Sequence, residues 1–376
     1  MKMGEQMNKR KTILFAANDT TFVYNLRKEI IEDLCNKGQD VIIVAEPKGY
    51  VEEIKDIGCN LIEIKVPRRG KNPFSDINLY NHIKQILKVE KPNIVFSNSI
   101  KPNVYFGIAS SKLGVPFVPN VTGLGSALLN PGVVQKIATT LYKRGVRNAK
   151  TIFFQNNYNK EYFYHSKIIN ESKDFLILPG SGINLEKYKY SQFPNELDTI
   201  RFIMIGRIMK DKGISEYLDA AENIKSKYPK TEFLLVGDYD DVSYKERIDI
   251  LNNKGIINYL GYRKDINELI KKSHCLVHPS YHEGLSNVLL EAGATGRPVI
   301  ASDIPGCRET FIDGVSGLAV KVKDSEDLTH KIEEFINIPN DKKVQMGKAN
   351  RNHVAKNFDR KIVVDKYIEC IEKYAK

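Results

Sequence analysis

The sequence predicts an α/β protein with two doubly wound parallel sheets, on the strength of three observations. Short apolar runs of strand length alternate with segments whose apolar residues recur at helical spacing, a pattern typical of βαβ units. The alternation pauses once, at residues 178–182, and then begins again. The chain has 376 residues, 42% of them hydrophobic, which is enough for two globular cores. We therefore expect two similar domains facing a central crevice, with ligands at the carboxyl ends of the strands.

The first half of the chain supplies the first predicted sheet. Its first helix shows the pattern, because Leu26, Ile30 and Leu34 share one face and Gly38 stops the helix. The strands of this half are predicted over residues 12–17, 40–45, 60–66, 93–97, 117–120, 151–155 and 175–178. The helices are predicted over residues 22–35, 51–58, 77–90, 104–113 and 133–147.

The second half repeats the alternation after the glycine-containing hinge. Its strands are predicted over residues 200–205, 232–236, 257–260, 275–278 and 298–302. Its helices are predicted over residues 213–227, 242–254, 265–273, 287–294, 325–336 and 358–374. We expect the first domain to cover residues 1–180 and the second to cover 181–355, with the helix in residues 356–376 crossing back to the first domain.

The stretch from Pro279 to Ala292 is the strongest candidate for a binding site. It follows a predicted buried strand and leads into a helix, with Ser286 as the expected N-cap. Free backbone N–H groups and the positive end of a helix at such a turn suit a phosphate. Glu283 and Glu291 bracket the turn, and we expect both to face the same crevice.

Two cations follow the first strand of the second half. Arg207 and Lys212 come after the strand that ends at Gly206, so both are expected over the carboxyl edge of the second sheet. A guanidinium group, an ammonium group and a helix N-terminus together would hold an anion. The alternative is that they are surface cations paired with Asp211 or Glu216.

Charge is unevenly distributed along the chain. The net charge is +11, and residues 1–180 carry 26 Lys and Arg against 16 Asp and Glu, which leaves +10 in the first half. No acidic residue occurs between Glu90 and Glu161. Such a one-sided positive field attracts phosphates of nucleotides, nucleic acids or anionic lipids. Without a recognition motif, nucleic acid is not an expected partner.

Several other functions are disfavoured by composition. No run of 18 apolar residues occurs, and residues 1–11 are too polar for a signal peptide, so a cytosolic location is expected. The five cysteines are scattered and lack a C-x-x-C pair. The sequence from Asp238 to Asp240 matches the metal-binding D-x-D pattern but lies in a Rossmann-like context. His274, His278 and His282 fall on a strand and loop, where their spacing does not converge on a metal, so they are expected to be structural.

The motifs of the second half, taken together, resemble those of a known family. Glu283 and Glu291 with seven residues between them, together with Gly206-Arg207 and Lys212-Gly213 upstream, resemble the donor domain of family 4 glycosyltransferases. These are retaining, nucleotide-sugar-dependent enzymes of the two-domain GT-B fold. Residues 99–103 and 122–126 resemble the subgroup that builds bacterial capsule, O-antigen and lipid-linked oligosaccharides, and residues 182–184 resemble its entry into the second domain.

The resemblance implies a role for each matching residue. Arg207 and Lys212 would hold the donor diphosphate, Glu283 the donor sugar and Glu291 the ribose, with no metal and no enzyme nucleophile. Further donor-binding residues would be Gly206, Arg263, Gly284, Leu285, Ser286 and Asn287. The acceptor side would include Asn18, Lys101, Asn103, Gly123 and Gly125.

Two positions depart from the family pattern. Residues 17–20 replace the glycine-rich loop that follows the first strand in many relatives. Ile100 stands where several relatives carry a histidine, so either Lys101 or Asn103 serves there or the acceptor geometry differs.

These observations lead to one hypothesis and two alternatives. We expect an enzyme that moves a hexose or N-acetylhexosamine from a UDP-sugar to a saccharide linked to undecaprenyl diphosphate. It would act peripherally at the anionic inner surface of the cell membrane, with the basic helix over residues 133–147 as the contact. The alternatives are a UDP-sugar 2-epimerase of the same fold and a non-catalytic nucleotide-sugar-binding subunit.

Overall fold

The computed structural model describes residues 10–66, 73–195 and 199–375, which form two compact units. The first unit runs to Ser181 and takes in the last helix from Lys361 onward; the second runs from Gly182 to Arg360. The predicted second boundary at residue 355 falls inside a helix that continues to Asn357. The unit extends further because Ile183 N donates to Phe358 O and Arg360 N donates to Ile183 O, which join its two ends.

The first unit is built on a parallel sheet of seven strands in the order β3-β2-β1-β4-β5-β6-β7. The strands are β1 (Thr12–Asp19), β2 (Asp40–Glu46), β3 (Asn60–Glu63), β4 (Ile94–Asn98), β5 (Phe117–Val121), β6 (Ile152–Phe154) and β7 (Phe175–Ile177). The helices are α1 (Thr20–Asn36), α2 (Val51–Asp56), α3 (Pro73–Glu90), α4 (Ile100–Leu113), α5 (Gly125–Leu129), α6 (Val133–Val146) and α7 (Asn157–His165).

The structure differs from the sequence prediction at several elements of this unit. Helix α3 begins at Pro73 instead of residue 77, and strand β3 ends at Glu63 instead of residue 66. Helix α4 begins four residues earlier than predicted, because Asn103 N donates to Ser99 O and closes the first turn ahead of Val104. Helix α5 was not predicted, since it is too short to show a periodic pattern. Helix α7 was not predicted either; its N-terminus is capped by the Asn156 side chain, which accepts from Asn159 N at 2.8 Å.

The second unit contains a six-stranded parallel sheet in the order β10-β9-β8-β11-β12-β13. Its strands are β8 (Ile200–Ile205), β9 (Thr231–Val236), β10 (Asn258–Tyr259), β11 (Cys275–His278), β12 (Val299–Ser302) and β13 (Gly317–Val320). Its helices are α8 (Ile214–Lys227), α9 (Lys245–Asn253), α10 (Ile266–Lys271), α11 (Asn287–Thr295), α12 (Ser325–Asn337) and α13 (Asn340–Asn357). The prediction missed strand β13 and helix α13. The prediction of two doubly wound parallel sheets is confirmed.

The terminal helix α14 (Arg360–Tyr374) packs with the first unit. Tyr367 is fully buried against Phe15, Phe96 and Phe153, with ring centroids 4.9 to 6.1 Å apart. Its hydroxyl accepts a hydrogen bond from Asn120 Nδ2 at 3.0 Å. The helix therefore covers one face of the first sheet, as a doubly wound fold requires. Within the described ranges, no helix combines the length and the apolar character needed to cross a membrane.

Candidate functional site

Strand order places the two candidate loops of the second unit next to each other. Strands β8 and β11 are neighbours at the centre of the sheet and run parallel, with Cys275 opposite Phe202. The loop that carries Arg207 and Lys212 follows β8, and the loop that carries Glu283 follows β11. Because the carboxyl ends of parallel strands lie at one edge of a sheet, both loops leave that edge side by side.

Three contacts join these loops. Tyr281 N donates to Asp211 O at 2.9 Å, and Ser280 Oγ donates to the same oxygen at 3.2 Å. Gly213 has a φ of +73° and lies so close to the second loop that a Cβ atom there would be 2.1 Å from Pro279 O. The turn at residues 210–213 is therefore held against the start of the second loop, which brings Lys212 to Glu283.

Lys212, Glu283 and His278 form a charged cluster on this edge. Glu283 Oε1 accepts from Lys212 Nζ at 2.5 Å and from His278 Nε2 at 2.9 Å. The side chains are 19% (Lys212), 13% (Glu283) and 3% (His278) exposed. Burial by itself would raise the pKa of Glu283, but the Lys212 ammonium and the His278 hydrogen bond outweigh it and hold the pKa well below its usual range. The alternative pairing of Lys212 with Asp211 or Glu216 is not what the structure shows.

Ser286 occupies the N-cap position of α11, but its side chain does not cap the helix. Its Oγ lies 3.1 Å from His278 Nε2 instead, and its backbone N–H donates to Gly306 O at 2.8 Å. The expected phosphate cradle therefore loses the N–H of Ser286. The N–H groups at the start of α11, beginning with Asn287, have no intrahelical acceptor and still point out of the helix end.

The residues beside Ser286 are positioned by packing. Gly306 has a φ of +87°, and a Cβ atom there would be 2.7 Å from Gly284 O. Leu285 is buried in an apolar cluster with Tyr188 and Leu290. The side chain of Leu285 therefore anchors the loop, so that only its backbone is available to a ligand.

Glu291 lies in a different environment from Glu283. It is half-buried on α11 near the Tyr188 hydroxyl, with Lys187 and Arg360 as the charged groups around it. Burial raises the pKa of Glu291 to about 7, and the Tyr188 hydrogen bond offsets only part of this effect. The two carboxylates predicted as one pair thus have opposite pKa shifts and different partners.

Arg207 is the more exposed of the two predicted cations. Its side chain is 61% exposed, and Nη1 lies 3.4 Å from Asp240 Oδ2. Gly206, just before it, continues the sheet by donating its N–H to Val236 O at 2.9 Å. Asp240, the last residue of the D-x-D match, therefore faces a cation. Among the described residues, no group of three or more His, Cys, Asp and Glu side chains is arranged to hold a metal ion.

Arg263 was predicted to border the nucleotide, and the structure gives it another partner. It follows β10, the edge strand, which is two strands away from β8. Its guanidinium group binds both carboxylate oxygens of Asp265, at 2.8 and 2.6 Å. No described contact brings Arg263 to the Lys212–Glu283 pair, because the local ion pair with Asp265 turns it aside.

Asn103 was predicted on the acceptor side, but its side chain is fully buried and is not exposed to an acceptor. Its Oδ1 accepts from Ser97 Oγ at 2.6 Å, and its Nδ2 donates to Asn120 O at 3.0 Å and to Tyr142 Oη at 2.9 Å. These bonds tie α4 to β4, β5 and α6. Asn103 is therefore a structural residue with no group left for a ligand.

The other acceptor-side candidates lie at the carboxyl edge of the first sheet. Lys101 Nζ is 2.8 Å from Asp76 Oδ1. Asn18 is half-buried at the irregular end of β1. A Cβ atom at Gly123 would meet nothing within 4 Å, whereas at Gly125, where φ is +63°, it would be 2.8 Å from Ile100 Cδ1. Ile100 therefore packs against the turn at Gly125.

Sequence reasoning missed two residues of the second-unit site. His278 was expected to be structural, yet its ring contacts Glu283 directly. The available signal was a histidine ending an otherwise apolar strand, five residues before a candidate carboxylate. Gly306 gave no local signal, because its contact with Gly284 arises only in the folded chain.

Family models match both halves of the chain. Residues 189–353 match the model described as Glycosyl transferases group 1, and residues 11–156 match the model described as Glycosyl transferase 4-like. Among solved structures, Anabaena HepE in complex with UDP-glucose aligns with a TM-score of 0.79 over 97% of this chain and 100% of that chain, at 17% identity. That similarity shows the fold alone.

Two curated relatives align over nearly the whole chain. One is the N,N'-diacetylbacillosaminyl-diphospho-undecaprenol alpha-1,3-N-acetylgalactosaminyltransferase of Campylobacter jejuni, 28% identical over 96% of this chain and 98% of that protein. The other is the UDP-Gal:alpha-D-GlcNAc-diphosphoundecaprenol alpha-1,3-galactosyltransferase of Escherichia coli, 25% identical over 90% of this chain and 92% of that protein.

The class of the protein follows from the fold and the site. Two doubly wound units, the second with cations and a helix start at its carboxyl edge, have the architecture of the GT-B fold, as predicted. The chain belongs to the glycosyltransferases, with a 4-like first half and a group 1 second half. The predicted resemblance to family 4 glycosyltransferases is thereby confirmed.

Proposed function

We propose that this enzyme transfers a hexose or N-acetylhexosamine from a UDP-sugar, with retention, to a saccharide carried on undecaprenyl diphosphate. The observation that carries the proposal is the Lys212–Glu283 pair at the start of α11. It lies in a chain similar over 96% of its length to a transferase named for a diphospho-undecaprenol acceptor. The product would be a lipid-linked intermediate of surface polysaccharide synthesis.

In this proposal the diphosphate of the donor binds at the carboxyl edge of the second sheet. Lys212 and Arg207 supply positive charge, and the first N–H groups of α11 supply donors and the positive helix end. The same cations stabilise the leaving diphosphate as the anomeric bond breaks, which is where negative charge develops. This arrangement supports binding without a divalent ion, since two side-chain cations already face the anion.

Glu283 acts on the donor sugar as a hydrogen-bond acceptor. Its low pKa keeps it ionised, so it is a poor general acid and a good acceptor for sugar hydroxyls. The departing phosphate takes the acceptor proton on the same face, so the enzyme needs no nucleophile of its own. Glu291 accepts from the ribose hydroxyls of the nucleotide.

A lipid-linked acceptor would bring the enzyme to a membrane surface. Helix α6 exposes Val133, Val134 and Ile137 near its start, and Lys143 and Arg144 in its last turn. A helix with exposed apolar residues and clustered lysine and arginine side chains suits the headgroup region of an anionic bilayer. We propose that α6 holds the enzyme to the inner face of the cell membrane.

The direct test of the activity uses defined donors and a defined acceptor. The full-length protein is incubated with UDP-glucose, UDP-galactose, UDP-GlcNAc or UDP-GalNAc and with synthetic undecaprenyl diphosphate-linked GlcNAc, with and without EDTA. We expect one donor to give a mass-shifted lipid product with an α linkage, and EDTA to leave the rate unchanged. Conversion of a UDP-sugar without acceptor into its 2-epimer would overturn the proposal, as would UDP binding with no transfer or hydrolysis.

The membrane contact is tested separately by vesicle flotation. Reversing Lys143, Arg144 and Arg147 to Glu should abolish binding to vesicles of phosphatidylglycerol and phosphatidylcholine, because the headgroup attraction is lost. A matched triple reversal in the second unit should leave binding intact; it uses the exposed residues Lys245, Lys254 and Lys264. Equal flotation of both variants would exclude α6 as the contact.

A further inference from the structure

We propose that His278 is a positioning residue that aims the Glu283 carboxylate at the donor sugar. Its Nε2–H holds Oε1 of Glu283, so that Oε2 is presented to the ligand. The inference rests on the proposed function, since it takes Glu283 as the residue that contacts the sugar. It adds a residue whose side chain lies behind the site and acts only through Glu283.

His278 is mounted more rigidly than the residue it contacts. It is the last residue of β11 and is 2% exposed, and its backbone is paired with Ala301 of β12. Glu283, by contrast, lies on a loop. A carboxylate on a loop gains a fixed orientation when a side chain from a central strand donates to it.

The hydrogen bonds assign the tautomer of His278. An ionised carboxylate only accepts hydrogen bonds, so Nε2 carries the proton and donates it in the hydrogen bond to Glu283 Oε1. Ser286 Oγ, 3.1 Å from the same nitrogen, lies on the loop that leads into α11. Nδ1 is buried and has no hydrogen-bond partner in the described part of the chain. A buried, unpartnered nitrogen costs free energy that an apolar residue would avoid, so packing alone does not explain a histidine here.

The two oxygens of Glu283 are used differently. Both Lys212 Nζ and His278 Nε2 contact Oε1. In the described ranges both hydrogen bonds of the Glu283 side chain go to Oε1, and Oε2 is not among the buried side-chain oxygens that lack a partner. The protein therefore holds one oxygen from behind and leaves the other to a ligand.

The hydrogen bond from His278 matters because, in the proposed function, Lys212 contacts both Glu283 and the donor diphosphate. The donor diphosphate attracts the Lys212 ammonium, which weakens its bond to Glu283 at the moment when the sugar must be oriented. His278 is buried and does not face that competition. It keeps Oε1 fixed while Lys212 is shared, which preserves the geometry of Oε2 toward the sugar.

The test uses three variants of His278 in the full-length enzyme. His278→Gln keeps an N–H at about the position of Nε2, His278→Asn places its N–H closer to the backbone, and His278→Leu has none. We expect Leu and Asn to lower kcat/KM for release of UDP from the accepted UDP-sugar by about 10- to 100-fold, and Gln to stay within about threefold of wild type. If the Leu variant fails to fold, the comparison of kcat/KM between the Gln and Asn variants tests the inference.

Binding of UDP alone separates positioning from structural damage. UDP has no sugar for Glu283 to contact, so its Kd should change by less than about threefold in all three variants. Equal turnover in all three variants would overturn the inference, as would parallel loss of UDP binding and turnover without rescue by Gln.

The wild-type enzyme and Glu283→Gln together distinguish failure of the inference from failure of the proposed function. If the wild-type enzyme transfers no sugar to the lipid-linked acceptor, the proposed function itself is wrong. If Glu283→Gln keeps full activity, the enzyme is a transferase but Glu283 does not orient the sugar. If Glu283→Gln is inactive but the His278 variants are normal, only the positioning role fails. In the double variant Glu283→Gln/His278→Leu we expect no further loss beyond Glu283→Gln, because His278 acts through that carboxylate.

Discussion

The carboxyl edges of the two sheets use polar residues in opposite ways. In the first unit, Arg27 is fully buried and donates to Asn98 Oδ1 at 2.7 Å and to Ser181 Oγ at 3.0 Å, and the Asn103 amide is saturated by protein groups. In the second unit, Lys212 and Glu283 satisfy each other while remaining partly exposed. A polar residue near the carboxyl edge of a sheet can therefore either stabilise the fold or remain available to a ligand. The difference lies in whether neighbouring protein groups use up its hydrogen bonds.

The largest expected effect is the loss of the Lys212 charge at the second edge. Lys212→Met should lower kcat/KM about a thousandfold, roughly 4 kcal/mol of transition-state stabilisation, because the diphosphate loses the ammonium group beside Glu283. Steady-state kinetics with the accepted UDP-sugar measures it. The matched control is Lys210→Met, two residues away in the same turn and exposed. Similar losses in both variants would mean that only the overall field matters.

The next effect concerns the close approach that brings the two loops of the second unit together. Gly213→Ala should destabilise the protein by about 3 kcal/mol, because the new Cβ meets a backbone oxygen at 2.1 Å as well as an unfavourable φ. Gly255 also has a positive φ, at +67°, but a Cβ atom there would meet no atom within 4 Å. Gly255→Ala should therefore destabilise the protein by only about 1 kcal/mol. Urea unfolding midpoints compare the two, and equal shifts would refute the steric argument.

A smaller effect is expected when the buried hydrogen bonds of Asn103 in the first unit are removed. Asn103→Ala should cost about 2 kcal/mol of stability, since it leaves Ser97 and Tyr142 without their buried partner. The Kd for UDP should be unchanged. Asn148→Ala removes an exposed amide hydrogen bond to Ser111 Oγ, just beyond the end of α6, and should be nearly neutral. If Asn103→Ala raised KM for the lipid acceptor and left stability intact, the residue would belong to the site after all.

The remaining effect depends on pH and distinguishes the two carboxylates of the second unit. The pKa of Glu291 is raised to about 7, above its value of about 4.3 in an unfolded chain. The stability contributed by the protonated group is therefore complete below about pH 4 and lost as the pH rises through about 7. Glu291→Gln should gain stability relative to wild type between about pH 5 and about pH 8, as read from urea midpoints. A constant difference across that range would contradict the raised pKa.

The limits of sequence-based prediction are visible in particular residues. The alternation of apolar runs predicted both sheets, and the turn before α11 was placed correctly, because these patterns are local. Ser286 is the N-cap residue of α11 as predicted, but its hydroxyl contacts His278 and does not cap the helix. The burial of Asn103 could not be predicted, because its partners on β4, β5 and α6 converge only after folding. His278 was undervalued for the same reason.

The sequence by itself determined the class of fold, the family and the loops that carry the candidate site, because hydrophobic periodicity and short motifs are properties of neighbouring residues. Only the tertiary structure decided which of those polar groups remain open to a ligand. That decision depends on strand order, which sets β8 beside β11 and brings Lys212 to Glu283. Hydrogen-bond saturation and burial are set by residues distant in sequence, so they arise only when the sheet is assembled.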